Sequence, residues 1–130
     1  MLKQYEIERL GITTNNTQVE RVPQTKGGEW TIVTLHNTDI VKFKHTAGYI
    51  EEIQLDTGGW NTVTTRRRMN EVSQAYGLGF HVYQKNHKLY VSYRGNDHEF
   101  ARSWVVAFGT GELATTPMPS IRYDTYRKLT

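Results

Sequence analysis

Apolar and polar positions alternate along residues 30–45, and this alternation predicts a β-hairpin. Val41, Phe43 and His45 are separated by lysines, which gives the two-residue period of a strand with one buried face. The predicted turn is Asn37-Thr38, which would place Leu35 opposite Ile40 and Ile32 opposite Phe43.

Residues 49–55 form a third predicted strand. The two-residue period puts Tyr49, Ile53 and Leu55 on one face, and Ile50, Glu52 and Gln54 on the other. The Asp-Thr-Gly-Gly sequence at residues 56–59 then ends the strand, because paired glycines favour a turn.

A second hairpin is predicted at residues 80–93. A two-residue turn at Asn86-His87 pairs Tyr83 with Tyr90, and turns of this length are typical of hairpins. One face is entirely apolar or aromatic and is predicted to be core: Phe80, Val82, Leu89, Val91 and Tyr93. The other face is amphipathic and is expected to face water: His81, Tyr83, Lys85, Lys88, Tyr90 and Ser92.

Between these segments the apolar period lengthens to that of a helix, over about residues 65–76. Met69, Val72 and Tyr76 share one side of this helix. Thr64 or Thr65 is the predicted N-cap. Gly77 is suited to the left-handed residue that ends a helix, with Leu78 folding back in a Schellman arrangement.

The remaining segments have weaker patterns. Residues 2–10 fit either an edge strand or one to two helical turns, residues 11–28 and 94–99 are predicted to be polar loops, and residues 103–108 a short buried strand. The whole pattern predicts an α+β fold, with an antiparallel β-sheet built from hairpins and one α-helix packed on one face. Residues 1–113 are predicted to form this single domain, and residues 114–130 a C-terminal tail with prolines, basic residues and aromatics.

Composition narrows the class of protein. A chain of 130 residues can bury a sizeable core, and its net charge of +3 is mildly basic. With no cysteine, disulfides, zinc–thiolate sites and cysteine nucleophiles are excluded. The charged N-terminus does not fit a signal peptide, and no apolar run approaches the ~20 residues that cross a bilayer. We therefore expect a soluble, cytoplasmic protein with no membrane association.

The start of the predicted helix gives the strongest functional signal. Three consecutive arginines stand there, although a helix start is already electropositive, so an anionic partner is indicated. Arginines suit phosphates, and aromatic rings suit stacked bases. The predicted basic–aromatic face consists of Trp60, Arg66, Arg67, Arg68, Asn70, Tyr83, Lys85, Lys88 and Tyr90. A purely structural interpretation also fits, with Tyr83–Tyr90 as a cross-strand pair and Arg67 paired with Glu71.

Little in the sequence points to catalysis. No two histidines stand at i, i+4 on a helix, no Gly-x-Ser-x-Gly is present, and Gly58-Gly59 matches neither phosphate-binding fingerprint. The triplet Asp97-His98-Glu99 could bind a metal but fits a solvated loop better. We predict no catalytic residue, no metal and no cofactor, with a small metal-dependent hydrolase or nuclease as a minor alternative.

The middle of the chain resembles a stretch found in small proteins of tailed bacteriophages. The similar residues run through the helix and the following hairpin as GGWxTxTTxxRMN, YGLG and VYQK. The resemblance implies a phage gene product acting in the cytoplasm of a bacterial host, and it implies no particular activity or catalytic residue.

Two functions are therefore expected as alternatives. The first is non-enzymatic binding of nucleic acid, in which the arginines contact phosphates and Trp60, Tyr83 and Tyr90 stack on bases. Single strands are favoured over duplex because nothing resembles a groove-reading helix with its partner helix. The second is an interaction module that binds a host bacterial protein and inhibits or redirects it, since Trp, Tyr and Arg are enriched at interface hot spots.

Overall fold

The computed structural model describes residues 1–46 and 48–107, which form two helices and eight strands. In chain order these are α1 (Gln4–Arg9), β1 (Thr17–Pro23), β2 (Glu29–Leu35), β3 (Thr38–Thr46), β4 (Tyr49–Asp56), α2 (Val63–Tyr76), β5 (Phe80–Lys85), β6 (Lys88–Tyr93), β7 (Asn96–Glu99) and β8 (Ser103–Ala107). The strands form a large sheet in the order β1-β2-β3-β4-β8 and a small sheet in the order β5-β6-β7, with antiparallel pairing throughout. The predicted α+β fold is confirmed.

One hydrophobic core joins the two sheets and α2. Alternate residues of β2, β3 and β4 are buried on one face of the large sheet, and α2 packs across that face. The ring of Tyr76 on α2 lies 4.9 Å from that of Phe43 on β3. At the β8 edge, the rings of Trp104 and Tyr93 meet edge to face at 5.5 Å. The small sheet and α2 therefore cover the large sheet side by side, in a two-layer arrangement.

Helix α2 begins earlier than predicted and ends where predicted. Thr62, not Thr64 or Thr65, is the N-cap, and its Oγ1 accepts a hydrogen bond from the Thr65 N–H at 3.1 Å. Gly77 adopts a φ of 60°, and the Leu78 N–H donates to the Ser73 carbonyl at 2.9 Å. The predicted Schellman end is confirmed.

Two side chains of α2 close the free edge of β5. The Asn70 amide accepts from the Val82 N–H at 2.7 Å and donates to the Val82 carbonyl at 2.8 Å. The Ser73 hydroxyl does the same for Phe80, at 3.1 and 2.6 Å. An open strand edge is a template for unwanted pairing, so α2 acts here in place of a further strand.

The second hairpin matches its prediction, whereas two predicted loops contain strands. Tyr83 pairs with Tyr90 across the Asn86-His87 turn, as expected. The polar loop predicted at residues 11–28 contains β1, and the loop predicted at residues 94–99 contains β7. Both are edge strands. Val19 and Val22 of β1 fall on opposite faces of the strand, and all four residues of β7 are polar and exposed, so neither strand shows the apolar alternation that identifies a strand. Residues 2–10 contain the short helix α1, and the predicted tail lies outside the described residues.

A shifted turn and two β-bulges overturn the predicted register of the first hairpin and of β4. The turn is His36-Asn37, with His36 at a φ of 56°, so Leu35 pairs with Thr38 instead of Ile40. Ile32 correspondingly pairs with Lys42, and Ile40 is the extra residue of the first bulge. A second bulge at Glu51 reverses the start of β4, so that Ile50 is buried and Tyr49 is 47% exposed. An extra residue shifts every earlier side chain to the opposite face.

Candidate functional site

A tight turn before α2 holds Trp60 in a defined position. The Gly58 N–H donates to Asp56 Oδ1 at 2.7 Å, and the Trp60 N–H donates to the Thr57 carbonyl at 3.1 Å. Gly58 has a φ of 68°, and a Cβ there would lie 2.6 Å from the Thr38 hydroxyl, so the turn packs closely on the β2–β3 connection. Trp60 itself is 71% exposed.

The three arginines have different environments. Because α2 starts at Val63, they occupy its second turn and not its first. Arg66 is half-buried and reaches back to the side chain and the carbonyl of Asn61. Arg67 is exposed, and within residues 1–46 and 48–107 it makes no ion pair or hydrogen bond through its side chain. Arg67 is therefore the arginine most available to an external anion.

Arg68 is a structural residue. It is only 5% exposed, and its guanidinium donates to the Asn15 carbonyl at 3.2 Å and to the Thr17 hydroxyl. Its Nε lies 3.3 Å from Glu71 Oε1, an ion pair without the alignment of a hydrogen bond. Since Glu71 also accepts from Thr13, the expected pairing of Glu71 with Arg67 is wrong. Arg68 ties α2 to the segment before β1.

Asn70 has a structural role as well. Both ends of its amide are bonded to Val82, as described above. Its side chain would have to leave the β5 edge to contact a ligand. We therefore leave Arg68 and Asn70 out of the candidate surface.

The outer face of the small sheet carries a stack of aromatic rings. Tyr83 and Tyr90 lie 5.4 Å apart between ring centroids at 16°, and His81 adds to the stack at 6.2 Å from Tyr83. Two acids of β7 share this face, because Ser92 pairs with Asp97 and Tyr90 with Glu99. The face therefore combines aromatic rings with charges of both signs.

Asp97 and Glu99 of β7 interact with Tyr83 and Lys88. Partial desolvation raises the pKa of Tyr83, and its hydrogen bond to the Asp97 carboxylate raises that pKa further. Glu99 Oε2 lies 4.0 Å from the Lys88 ammonium, a surface ion pair of small energetic weight. Lys85, at the same hairpin tip, is exposed.

The bonds between α2 and β5 bring Arg66, Arg67 and the hairpin to one side of the molecule. Ser73 bonds to Phe80 and Asn70, one turn earlier, bonds to Val82. The helix start therefore lies beside the hairpin tip. The side of α2 that bears Arg67 is opposite its buried side, so it faces outward like the outer face of the small sheet. The accessible face, as we define it, consists of Trp60, Arg66, Arg67, Tyr83, Lys85, Lys88 and Tyr90.

A groove beside Trp60 was not anticipated from the sequence. It has a volume of about 500 Å³ and lies between the start of α2 and the β2–β3 turn. Its threonines are visible in the sequence as the run around residues 62–65, but they are far in sequence from residues 35–40, which complete the groove. Only the folded chain joins the two segments.

Two further observations concern metals and membranes. Within the described part of the chain, no group of three or more histidine and carboxylate side chains could hold a metal ion. Within the same residues, neither helix has the length and apolar character needed to span a bilayer.

Comparisons with known proteins give a family assignment. Neither the curated proteins nor the solved structures contain a match to this chain. The sequence model of the family described as Kyanoviridae Gp96 protein matches residues 5–110, which include both sheets, α2 and all of α1 except Gln4. The match covers well over half of the 130 residues. The chain therefore belongs to the Kyanoviridae Gp96 family of tailed-bacteriophage proteins.

Proposed function

We propose that this phage protein binds single-stranded nucleic acid, without catalysis, through the accessible face. The observation that supports this most directly is the exposed Trp60 at the same end of the molecule as Arg67, whose charge is not matched by any acid of residues 1–46 and 48–107. An exposed indole is a stacking platform for bases, and a nearby guanidinium is suited to phosphate.

Single strands fit this surface better than a duplex. Stacking on Trp60 requires a base whose face is free, which a paired strand does not offer. Neither helix is placed for groove reading, since α2 is bonded along β5 and α1 has only six residues. The stack of Tyr83 and Tyr90 extends the aromatic surface towards β7.

The salt dependence of binding tests this proposal. Three or four of the cations Arg66, Arg67, Lys85 and Lys88 would contact phosphates. For single strands this predicts that affinity falls about 20- to 50-fold between roughly 50 and 200 mM salt. Fluorescence anisotropy with a labelled, mixed-sequence single-stranded DNA measures it. Absence of binding at the lower salt concentration, or affinity that does not change with salt, would refute the proposal.

Lys26 offers a matched control for Arg67. It is exposed in the β1–β2 connection, which precedes β2. The β2–β3 connection, which packs on the turn that carries Trp60, lies at the other end of β2. Arg67→Glu and Lys26→Glu change the net charge equally, so an attraction due to overall charge alone would weaken equally in both. We expect Arg67→Glu to weaken binding at least tenfold more than Lys26→Glu.

Binding of a host protein is the alternative, and Asp97 and Glu99 favour it. These acids border the Tyr83–Tyr90 stack and would repel phosphates there, whereas mixed charge around aromatic rings suits a protein partner. A host protein that co-purifies after nuclease treatment, and is lost on Tyr90→Ala, would support this alternative. By this binding, the phage protein would inhibit or redirect the host protein.

A further inference from the structure

The groove beside Trp60 has the dimensions and lining of a small-molecule site. Its volume of about 500 Å³ falls within the roughly 300–1,000 Å³ of known ligand pockets. Leu35 and Ile40 are among the buried residues that line it, and Trp60 stands at its exposed side. The apolar floor of the groove and the aromatic ring at its side suit a ligand that is a flat ring.

The polar groups around this groove are amide, hydroxyl and imidazole groups. His36, Asn37, Thr38, Thr62 and Thr64 line it, and no Asp, Glu, Lys or Arg is among the described residues that do so. At the helix start, the Thr65 N–H is already bonded to Thr62. A phosphate would therefore find no ammonium or guanidinium group inside the groove, whereas a ring with donors and acceptors along its edge would find partners.

The groove is held open in advance by the tight turn before α2 that carries Trp60. Gly58 and Gly59 are bonded to Asp56 and Thr57, and Gly58 packs directly on Thr38. A ligand that enters would not have to order this turn, which reduces the cost of binding.

We propose that the groove holds a single nucleobase, stacked on Trp60 and hydrogen-bonded along its edge by the amide and hydroxyl groups opposite. This deepens the proposed function and rests on it, because Arg66, bonded to Asn61 next to Trp60, then lies where the phosphate beside that base would pass. Because the edge of the base is contacted, binding at this position would distinguish one base from another, unlike stacking alone.

Free nucleosides test the groove separately from the phosphate contacts. The chain has three tryptophans, so three indole N–H signals are expected in a ¹H–¹⁵N spectrum, and Trp60→Phe assigns the one from Trp60. We expect at least one of adenosine, cytidine and thymidine to shift the Trp60 indole signal saturably at about millimolar concentration, with the signals of Trp30 and Trp104 unchanged. Glucose at the same concentration is the control for a non-specific effect of a neutral polar ring.

Affinity for the oligonucleotide gives the second measurement. Trp60→Ala should weaken binding of single-stranded DNA about 5- to 150-fold, the range found for removal of one base-stacking aromatic. Trp60 is exposed, so its replacement should leave the fold intact, and the far-ultraviolet circular dichroism spectrum checks this.

The outcomes separate the two proposals. A nucleoside shift together with oligonucleotide binding supports both. A nucleoside shift without oligonucleotide binding keeps the groove as a site for free nucleosides and refutes the proposed function. Absence of any nucleoside shift refutes the groove inference even if oligonucleotides bind, and a shift produced by glucose but not by nucleosides refutes the ligand class.

Discussion

Asn70→Ala tests whether α2 seals the edge of the small sheet. The substitution removes two hydrogen bonds, of 2.7 and 2.8 Å, between the Asn70 amide and the Val82 backbone. Val82 is buried, so its N–H and carbonyl have limited access to replacement water. The main effect expected of this substitution is therefore on the stability of the fold and not on the binding of a ligand.

The expected loss can be estimated from these two bonds. Each contributes about 0.5–1.5 kcal/mol net, and a buried group left without a partner costs more than that. Alanine recovers up to about 0.7 kcal/mol through its higher helix propensity. We therefore expect Asn70→Ala to lower the free energy of unfolding by about 2 kcal/mol.

Urea unfolding followed by circular dichroism measures this change. Gln74→Ala is the matched control, because Gln74 is exposed on the same helix and its loss should change stability by no more than about 0.5 kcal/mol. Hydrogen exchange adds a local readout, since the Val82 amide should exchange faster relative to the amides of β6. Equal stability of Asn70→Ala and Gln74→Ala would show that the edge bonds do not stabilise the fold.

Two other predictions concern the buried charged and titratable groups. Arg68→Met leaves the Glu71 carboxylate without its cation and should lower stability by about 3 kcal/mol, whereas Arg67→Met should change it by about 0.5 kcal/mol or less; equal effects in urea unfolding would contradict the structural role of Arg68. Burial lowers the pKa of His45 below its ordinary value of 6.5, with Glu29 acting to raise it and Arg21 to lower it. Below pH 6.5 the unfolded chain then binds more protons than the folded one, so stability should fall as the pH drops from 7.5 to 5.5. His45→Phe should show a smaller fall over the same range, and an equal fall in both proteins would remove His45 as its cause.

Local patterns were sufficient for the second hairpin and for most of α2. The pairing of Tyr83 with Tyr90 depends on a two-residue turn and on strict alternation, both of which lie within fourteen residues. Gly77 likewise ends α2 through bonds to its own last turn. Such features involve neighbours in the sequence, so the sequence pattern records them directly.

The bulges and edge strands required the tertiary structure. Ile40 and Ile50 are buried because one strand carries an extra residue relative to its partner, and the alternation within a single strand does not record this. The strands β1 and β7 show almost no apolar alternation, and each is held at a sheet edge by pairing with its neighbour.

The candidate site was likewise only partly predictable from the sequence. Its residue types and the excess of arginine near the start of α2 could be read from the sequence alone. Which arginine remains available could not, because the partners of Arg68 at Asn15 and Thr17 lie more than fifty positions earlier in the chain. Arg67 and the hairpin lie on one side of the molecule because Asn70 and Ser73 bond to the backbone of β5, and the sequence does not show these bonds. The sequence determined the local elements through short-range hydrogen bonds and periodic burial. Long-range packing decided which polar side chains bond within the protein and which remain available to a partner.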